Sequence, residues 1–597
     1  MSRKVPSIGV GPAKTPRNAF DLSERSLYTQ CAGMLTPVYI KELNPHDHVS
    51  LDIVSELQAQ TIKGRAFVGM RQYMSAFFVP YSYLWTYWKS FITGLSPNNT
   101  VKSSGLLYKG DTGSSILAPT FKPLDVYRFL ASGGSTVLGD DHGFSPLSGF
   151  VRLCDMLGYG NVSHYVYTGQ DKFSKADYEV FTNYQANVLR WAAYQKIYQD
   201  HFLDDRFEKR AVDVYQLDKF TKDSLKGSSV VEISDSTLGM FMPRYAKYNK
   251  DYLNNFHQSP LFVSSVDSAI KTFVGTSPVT GSSLVKRGQS YNPYQQADTI
   301  SSVMWNGSAQ SETILSAAQI RNLFALDKMA QISGRAAKTY SAQMRAHYGV
   351  NVDGEEHVSY YCGGYSSSLD SQAVIATASG NGVDFGQQGS FVDNVSKGHI
   401  NFDAKDFGVF MVLSWIAPEP RWAAIAPDPF NEKLTKEDYY HPEMADLGMQ
   451  PLTSRRFRLV DNIKGATGIS DKSVLDDDSV VGWTERYAEY KSSFDRLHGE
   501  FIPFKSLIFG ADATAKNLPP ASPLGSLSFL STHMHSFTQS GSGTDLSWKA
   551  ISVSPSCTDD LVDLKYNGLQ STDPFRIESE FRCTIVRDMS VSGLPRL

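Results

Sequence analysis

Two His-x-His pairs, His46/His48 and His533/His535, come nearest in this chain to metal-binding spacing. In GSLSFLSTHMHSF the positions Leu527, Phe529, His533, His535 and Phe537 fall on one face of an extended strand, because strand side chains alternate. Two imidazoles on one face would begin a metal site, but no third ligand stands near either pair. Hydrogen-bonded structural histidines are the expected reading, and no metal is assigned. Asp476 to Asp478 lacks the spaced oxygen ligands of a calcium loop and reads as a solvated turn. No Gly-Lys dipeptide occurs, so a phosphate-binding P-loop is absent. The pairs Gly9/Gly11, Gly158/Gly160, Gly380/Gly382 and Gly541/Gly543 lack the third glycine of a dinucleotide fingerprint. With no GxSxG and no HExxH, no catalytic constellation forms and no cofactor is expected. The 61 acidic residues leave a carboxylate-pair glycosidase open on composition alone.

Two further groups could bind rather than react. Arg3, Lys4, Lys14 and Arg17 stand in the first twenty residues without an acid, among prolines and glycines that deny regular structure. They describe a flexible basic arm, either inert or touching phosphates or a neighbouring subunit. Phe77, Phe78, Tyr81, Tyr83, Trp85, Tyr87, Trp88 and Phe91 crowd a short run around Pro80. Such rings could form a platform for sugars or bases. Packing between strands or against a neighbour is the stronger expectation, since each ring buries so much area.

The elements that must position these residues are mostly extended. Ser50 to Leu57 and Arg71 to Pro80 read as strands, as does the segment in which Phe581, Cys583, Ile585, Met589 and Val591 alternate. Val409 to Ala417 is the most apolar run, far short of the ~20 residues a bilayer span needs. From Ala176 to Phe202, the positions Phe181, Tyr184, Val188, Trp191, Gln195, Tyr198 and Phe202 make one stripe of an amphipathic helix. Arg321 to Tyr348 reads as one helix weakened at Gly334, or two in succession, stopped by Gly349. Ser264 to Ser311, Gly363 to Val395 and Gly510 to Thr544 are polar and read as long connections. Few helices and many short strands favour a β-sandwich with elaborated loops.

Composition bounds the rest. A length of 597 residues suggests about three to six domains on a length prior alone. Aromatic residues at 12% exclude a disordered polyelectrolyte, and charged residues at 20% fall below the usual ~25%. The net charge of -4 excludes wholesale basicity, so any contact with nucleic acid must come from a local patch. Five scattered cysteines without CxxC spacing suggest reduced thiols. The first residues lack the apolar core of a signal peptide, so a soluble protein is expected, neither secreted nor membrane-inserted.

Several ordered segments together resemble the major capsid proteins of the Microviridae, the small icosahedral single-stranded DNA bacteriophages, in particular the gokushovirus-like branch. They are FDLSE (Phe20 to Glu24), FFVPYSYLWTYW (Phe77 to Trp88), LRWAAYQKIYQDHF (Leu189 to Phe202) and Ile320 to Val350. YCGG (Tyr361 to Gly364), GWTERYAEYK (Gly482 to Lys491) and the LPRL end complete the series. The resemblance implies a mainly β fold, an eight-stranded antiparallel jelly roll with large inserted loops and a few helices. On this reading residues 1–19 are the arm and 20–597 one capsid domain, with helical segments near 176–202 and 313–348 and a variable polar insertion near 264–311. It implies no enzyme but a structural protein that self-assembles into a T=1 shell around circular single-stranded DNA. The implied partners are further copies of the chain, the genome, a small basic DNA-packaging protein, an internal scaffolding protein, a DNA pilot protein and the host cell surface. The implied location is the virion, after synthesis in the bacterial cytoplasm. A carbohydrate- or receptor-binding β-sandwich of a phage particle is the alternative. Arg3, Lys4, Lys14 and Arg17 are the candidate DNA or inter-subunit contacts. Phe77, Phe78, Tyr81, Tyr83, Trp85 and Trp88 are the candidate packing or interface cluster.

Overall fold

A computed structural model describes residues 16–59, 69–93, 118–131, 146–162, 184–204, 210–218, 235–257, 340–350, 357–375, 388–419, 428–445, 448–453, 480–496 and 573–591, with isolated residues between them. Its principal strands are β1 (Arg17–Asp21), β2 (Glu24–Gln30), β3 (Thr36–Leu43), β4 (His48–Ala59), β5 (Met70–Pro80), β6 (Tyr360–Ser368), β7 (Asp370–Ile375), β8 (Gln388–Asp403), β9 (Gly408–Pro418) and β10 (Phe575–Asp588). The helices used below are α1 (Tyr81–Leu84), α2 (Trp88–Thr93), α3 (Pro123–Ala131), α4 (Pro146–Met156), α5 (Leu189–Ile197) and α6 (Tyr340–Tyr348). The strands pair antiparallel into two sheets. In one, β1 and β2 lie end to end along β10, followed by β4, β8 and β7; the other runs β3, β9, β5, β6.

Alternation explains the first sheet. Val49, Leu51, Ile53 and Leu57 of β4 point inward and are fully buried, while Asp52 and Glu56 between them face solvent. On β10, Phe575, Ile577, Phe581, Cys583 and Ile585 do the same. Met589 and Val591, expected in this strand, lie beyond its end and are exposed.

The second sheet is covered on both faces. Phe410, Val412 and Ile416 of β9 join Met74, Ala76 and Phe78 of β5 in the core between the sheets. Val409, Met411 and Leu413 turn the other way, with Phe77 and Val79, into a second core beneath the helices. A strand buried on both sides carries apolar residues at every position, which is why Val409 to Ala417 reads as a continuous run. Three layers result: sheet, sheet, helices.

Three expectations change. The helix foreseen over 176–202 begins at Leu189 and passes into a π-helical turn at Tyr198–Phe202. Ala186–Asn187 instead pairs with Thr120–Phe121, and the Asn187 side chain accepts the Leu189 amide at 3.3 Å. Nor is α5 one-sided: Ala192, Ala193, Tyr194, Lys196 and Ile197 are buried along with the foreseen Trp191 and Gln195, because the helix runs inside the second core. The polar stretch Gly363 to Val395 is largely strand (β6, β7 and part of β8) rather than a connection. Finally, Arg17 to Ala19, expected within the arm, belong to β1.

The helix over Tyr340–Tyr348 stops as foreseen at Gly349, whose φ is +69° and whose amide returns to the Arg345 carbonyl at 3.0 Å. Arg3, Lys4, Lys14, His533, His535, Asp476 to Asp478, Ser264 to Ser311 and most of Gly510 to Thr544 lie outside the described residues.

Candidate assembly and nucleic-acid surfaces

Arg17 opens β1 opposite Asp588 and donates from Nη2 to the His46 carbonyl at 3.0 Å. His46 and His48 do not converge. His46 sits in a left-handed turn with Nδ1 3.7 Å from Asp588, while His48 Nδ1 lies 2.7 Å from Asp403 Oδ1. Asp47 between them is buried, takes the Asn44 amide at 2.8 Å and faces Arg587 Nε at 2.8 Å. Burial pushes its carboxyl up, against the pull of that amide and of Arg587. Among the described residues no three His, Cys, Asp or Glu side chains form a possible metal site. Cys31, Cys154, Cys362 and Cys583 are free thiols, and burial pushes Cys31 and Cys154 up to about 12, so both stay protonated and unreactive near neutrality.

The aromatic run lies mainly inside the subunit. Phe77, Phe78, Tyr81, Trp85 and Trp88 are all at most 8% exposed. Tyr81 packs on Trp88 at 4.6 Å between ring centroids, and Phe91 closes on both tryptophans at 5.5 Å. Pro80 ends β5, and the chain turns directly into α1 and α2, which carry these rings over the sheet. Such rings offer almost no open face for a sugar or a base. Tyr83 differs: its hydroxyl meets that of Tyr360 at 3.1 Å in an exposed contact on β6.

Other rings do face outward. Phe430, Tyr440 and Tyr490 are 42%, 53% and 46% exposed. Beneath them Lys433 Nζ lies 4.9 Å from the Tyr490 ring centre, donates to Glu489 Oε1 at 2.6 Å and to the Asp438 carbonyl at 2.6 Å. Gln450 holds the second Glu489 oxygen at 2.9 Å. This buried ion pair fixes two segments distant in sequence as one aromatic surface, and its lysine holds the Glu489 carboxyl below its usual range although burial opposes this.

A second surface is basic. A cavity of about 240 Å³ opens beside Tyr73, Phe202 and Trp415, with Lys247, Lys250 and Asp204 also in its wall. Tyr73 and Trp415 stack 5.2 Å apart at 5°, across the β5/β9 pairing in which they are direct partners. Asp204 receives both Arg206 nitrogens Nε and Nη2, at 2.9 and 2.7 Å, and faces Lys250 at 3.3 Å. Burial raises its carboxyl, but these cations prevail and hold it far below the usual range. The sequence reading missed this site. Its signal was the interleaving of Arg244, Lys247 and Lys250 with Tyr245, Tyr248 and Tyr252.

The family described as Capsid protein (F protein) matches residues 9–105 and 166–508. The chain belongs to this capsid family. It is a major capsid protein of the Microviridae type, a structural protein of the virion. No curated protein matches the chain. The match takes in both surfaces described above as well as β1 to β9, and ends before β10. For a capsid subunit, exposed rings such as Tyr440 and Tyr490 suit contact with neighbouring protein. Among the described residues no helix is long and apolar enough to cross a membrane.

Proposed function

We propose that this capsid protein is the repeated subunit of a T=1 icosahedral shell enclosing circular single-stranded DNA, built on an eight-stranded jelly roll of the gokushovirus-like kind. The strand order carries the proposal. Counting β2, β3, β4, β5, β6, β8, β9 and β10 as one to eight, the sheets read 1-8-3-6 and 2-7-4-5, the nesting expected of a double Greek key. The sequence between β5 and β6, and between β9 and β10, supplies the insertions of a single domain, with the arm preceding Arg17. Closing a shell lets each subunit bind several neighbours, so individually weak contacts suffice and assembly is steep in concentration. A small basic packaging protein would relieve a chain of net charge -4 of neutralising the genome alone. Scaffolding and pilot proteins, and the host surface, complete the proposed partners. Negative-stain images of protein from infected cells should show uniform isometric particles. Persistent monomers, even with scaffolding partners supplied, would count against the shell.

A further inference from the structure

The cavity beside Tyr73 and Trp415 combines two chemistries that one ligand class shares. Both rings are partly exposed, and the Asn249 side chain donates to the Tyr73 hydroxyl at 3.0 Å, tying the lysine-bearing segment to the ring floor. Lys250 presents positive charge at the wall of a protein whose net charge is -4, while the buried Lys247 ammonium, 5.7 Å from the Tyr198 ring centre, adds to the local field. Asp204, the acid lining the cavity, is already engaged by Arg206 and Lys250. The Lys250 side chain is 60% exposed, so its ammonium can turn to an incoming anion.

We infer that this cleft binds one nucleotide of an unpaired strand, its base against the Tyr73/Trp415 stack and its phosphate at Lys250. A bare phosphate would leave the rings uncovered, and a neutral sugar would leave the exposed Lys250 charge unanswered. Duplex DNA keeps its base faces stacked internally and cannot offer one to the floor. Stacking on aromatic side chains tolerates any base, so the site takes sequence as it comes. The inference rests on the shell reading only in choosing DNA over RNA.

The test is fluorescence anisotropy of the full chain with labelled oligothymidylate, an abasic strand of equal length, and unlabelled dTMP as competitor. The base-bearing strand should bind more tightly than the abasic one. Trp415→Leu should erase that difference, a loss of about 5- to 150-fold for oligothymidylate, with the thermal midpoint recorded to show that the variant folds. Should Trp415→Leu not fold, the exposed Lys250→Gln still tests the site. It should weaken both strands and lower the slope of log affinity against log salt by about 0.7, the release from one single-strand phosphate. Competition by dTMP would support the site with a free nucleotide as sufficient ligand; binding of the strand alone would support it with the polymer as ligand. Equal affinity for base-bearing and abasic strands, a folded Trp415→Leu chain that keeps the difference, or an unchanged slope in Lys250→Gln would each overturn it. Particle formation by the unmodified chain is scored separately. Shells without base-dependent binding sink the cleft alone, and absence of shells sinks the capsid reading.

Discussion

His257 sits where backbone pairing and charge meet. Its amide and carbonyl both exchange hydrogen bonds of 2.8 Å with Trp483, and its ring lies in the field of Arg206 and Lys250. Burial first, then those cations, hold its pKa down to about 4, with Asp204 and Glu485 opposing. In the unfolded chain the imidazole titrates near 6.5. Between these values the unfolded state binds the extra proton, so stability rises with pH. The contribution is complete above 6.5 and is lost as pH falls toward 4. Asp204 acts with the same sign in a lower window, below about 3.8. Thermal midpoints of the unassembled chain should therefore drop between pH 6.5 and 4, and His257→Gln should flatten that part of the profile. An identical profile in the variant would show that other groups carry the effect. Trp85 is fully buried with no partner for its indole N–H among the described residues, so it acts as apolar volume rather than as a recognition group.

At the scale of elements, strands with a strong apolar signal were legible and strands without one were not. Segments β4, β5 and β10 were readable as strands, while β9 stood out only as a continuous apolar run. By contrast β6, YYCGGYSSS, sits at the edge of its sheet and supplies few apolar side chains, so it reads as loop. What makes it a strand is fit to β5. Gly363 has φ +130°, and a Cβ on Gly364 would come within 2.4 Å of Ser75 Oγ and 2.6 Å of the Met74 carbonyl. Close approach of β6 to β5 requires Gly364 and the positive φ requires Gly363, which together account physically for YCGG. Gly364→Ala should push the strands apart at a cost of about 1–3 kcal/mol, seen as a lower urea midpoint and faster proteolysis near Tyr360. Unaltered stability would mean that the edge can give way without loss. The onset of α5 was missed for a similar reason: apolar spacing continues through Tyr184 and Val188, while the local pairing of Ala186–Asn187 with Thr120–Phe121 cuts the helix short.

For the whole molecule, the first two strands and β10 meet. The last strand lies between β2 and β4, and β1 pairs with its final residues, Arg17 opposite Asp588. Arg17 is thus part of the sheet and cannot be removed with the arm at no cost. Deleting residues 1–15 should leave unfolding of the subunit unchanged but reduce the yield of DNA-filled particles, whereas a deletion extended through Asp21 should lower stability as well. Normal yield of filled particles from the shorter deletion would show the arm to be inert. Low overall charge also gains a meaning at this scale. A subunit enclosed by neighbours exposes less surface that must be charged, and a chain at -4 can meet nucleic acid through a local cleft.

Sequence alone determined the β-rich class, the inward faces of the strongest strands and, through the order of its motifs, the capsid family. Those features are local: burial imposes a period on neighbouring residues, and the period can be read without knowing what buries them. Tertiary structure decided which of the chemistry-bearing residues meet. Tyr73 and Trp415 become partners through the register of β5 with β9, and Asp204 and Lys250 reach them from the chain between those strands. Spacing along the chain carries no trace of that register, so His46 and His48, noticed first, proved to face separate carboxylates, while the cleft formed among residues that the spacing had left unremarked.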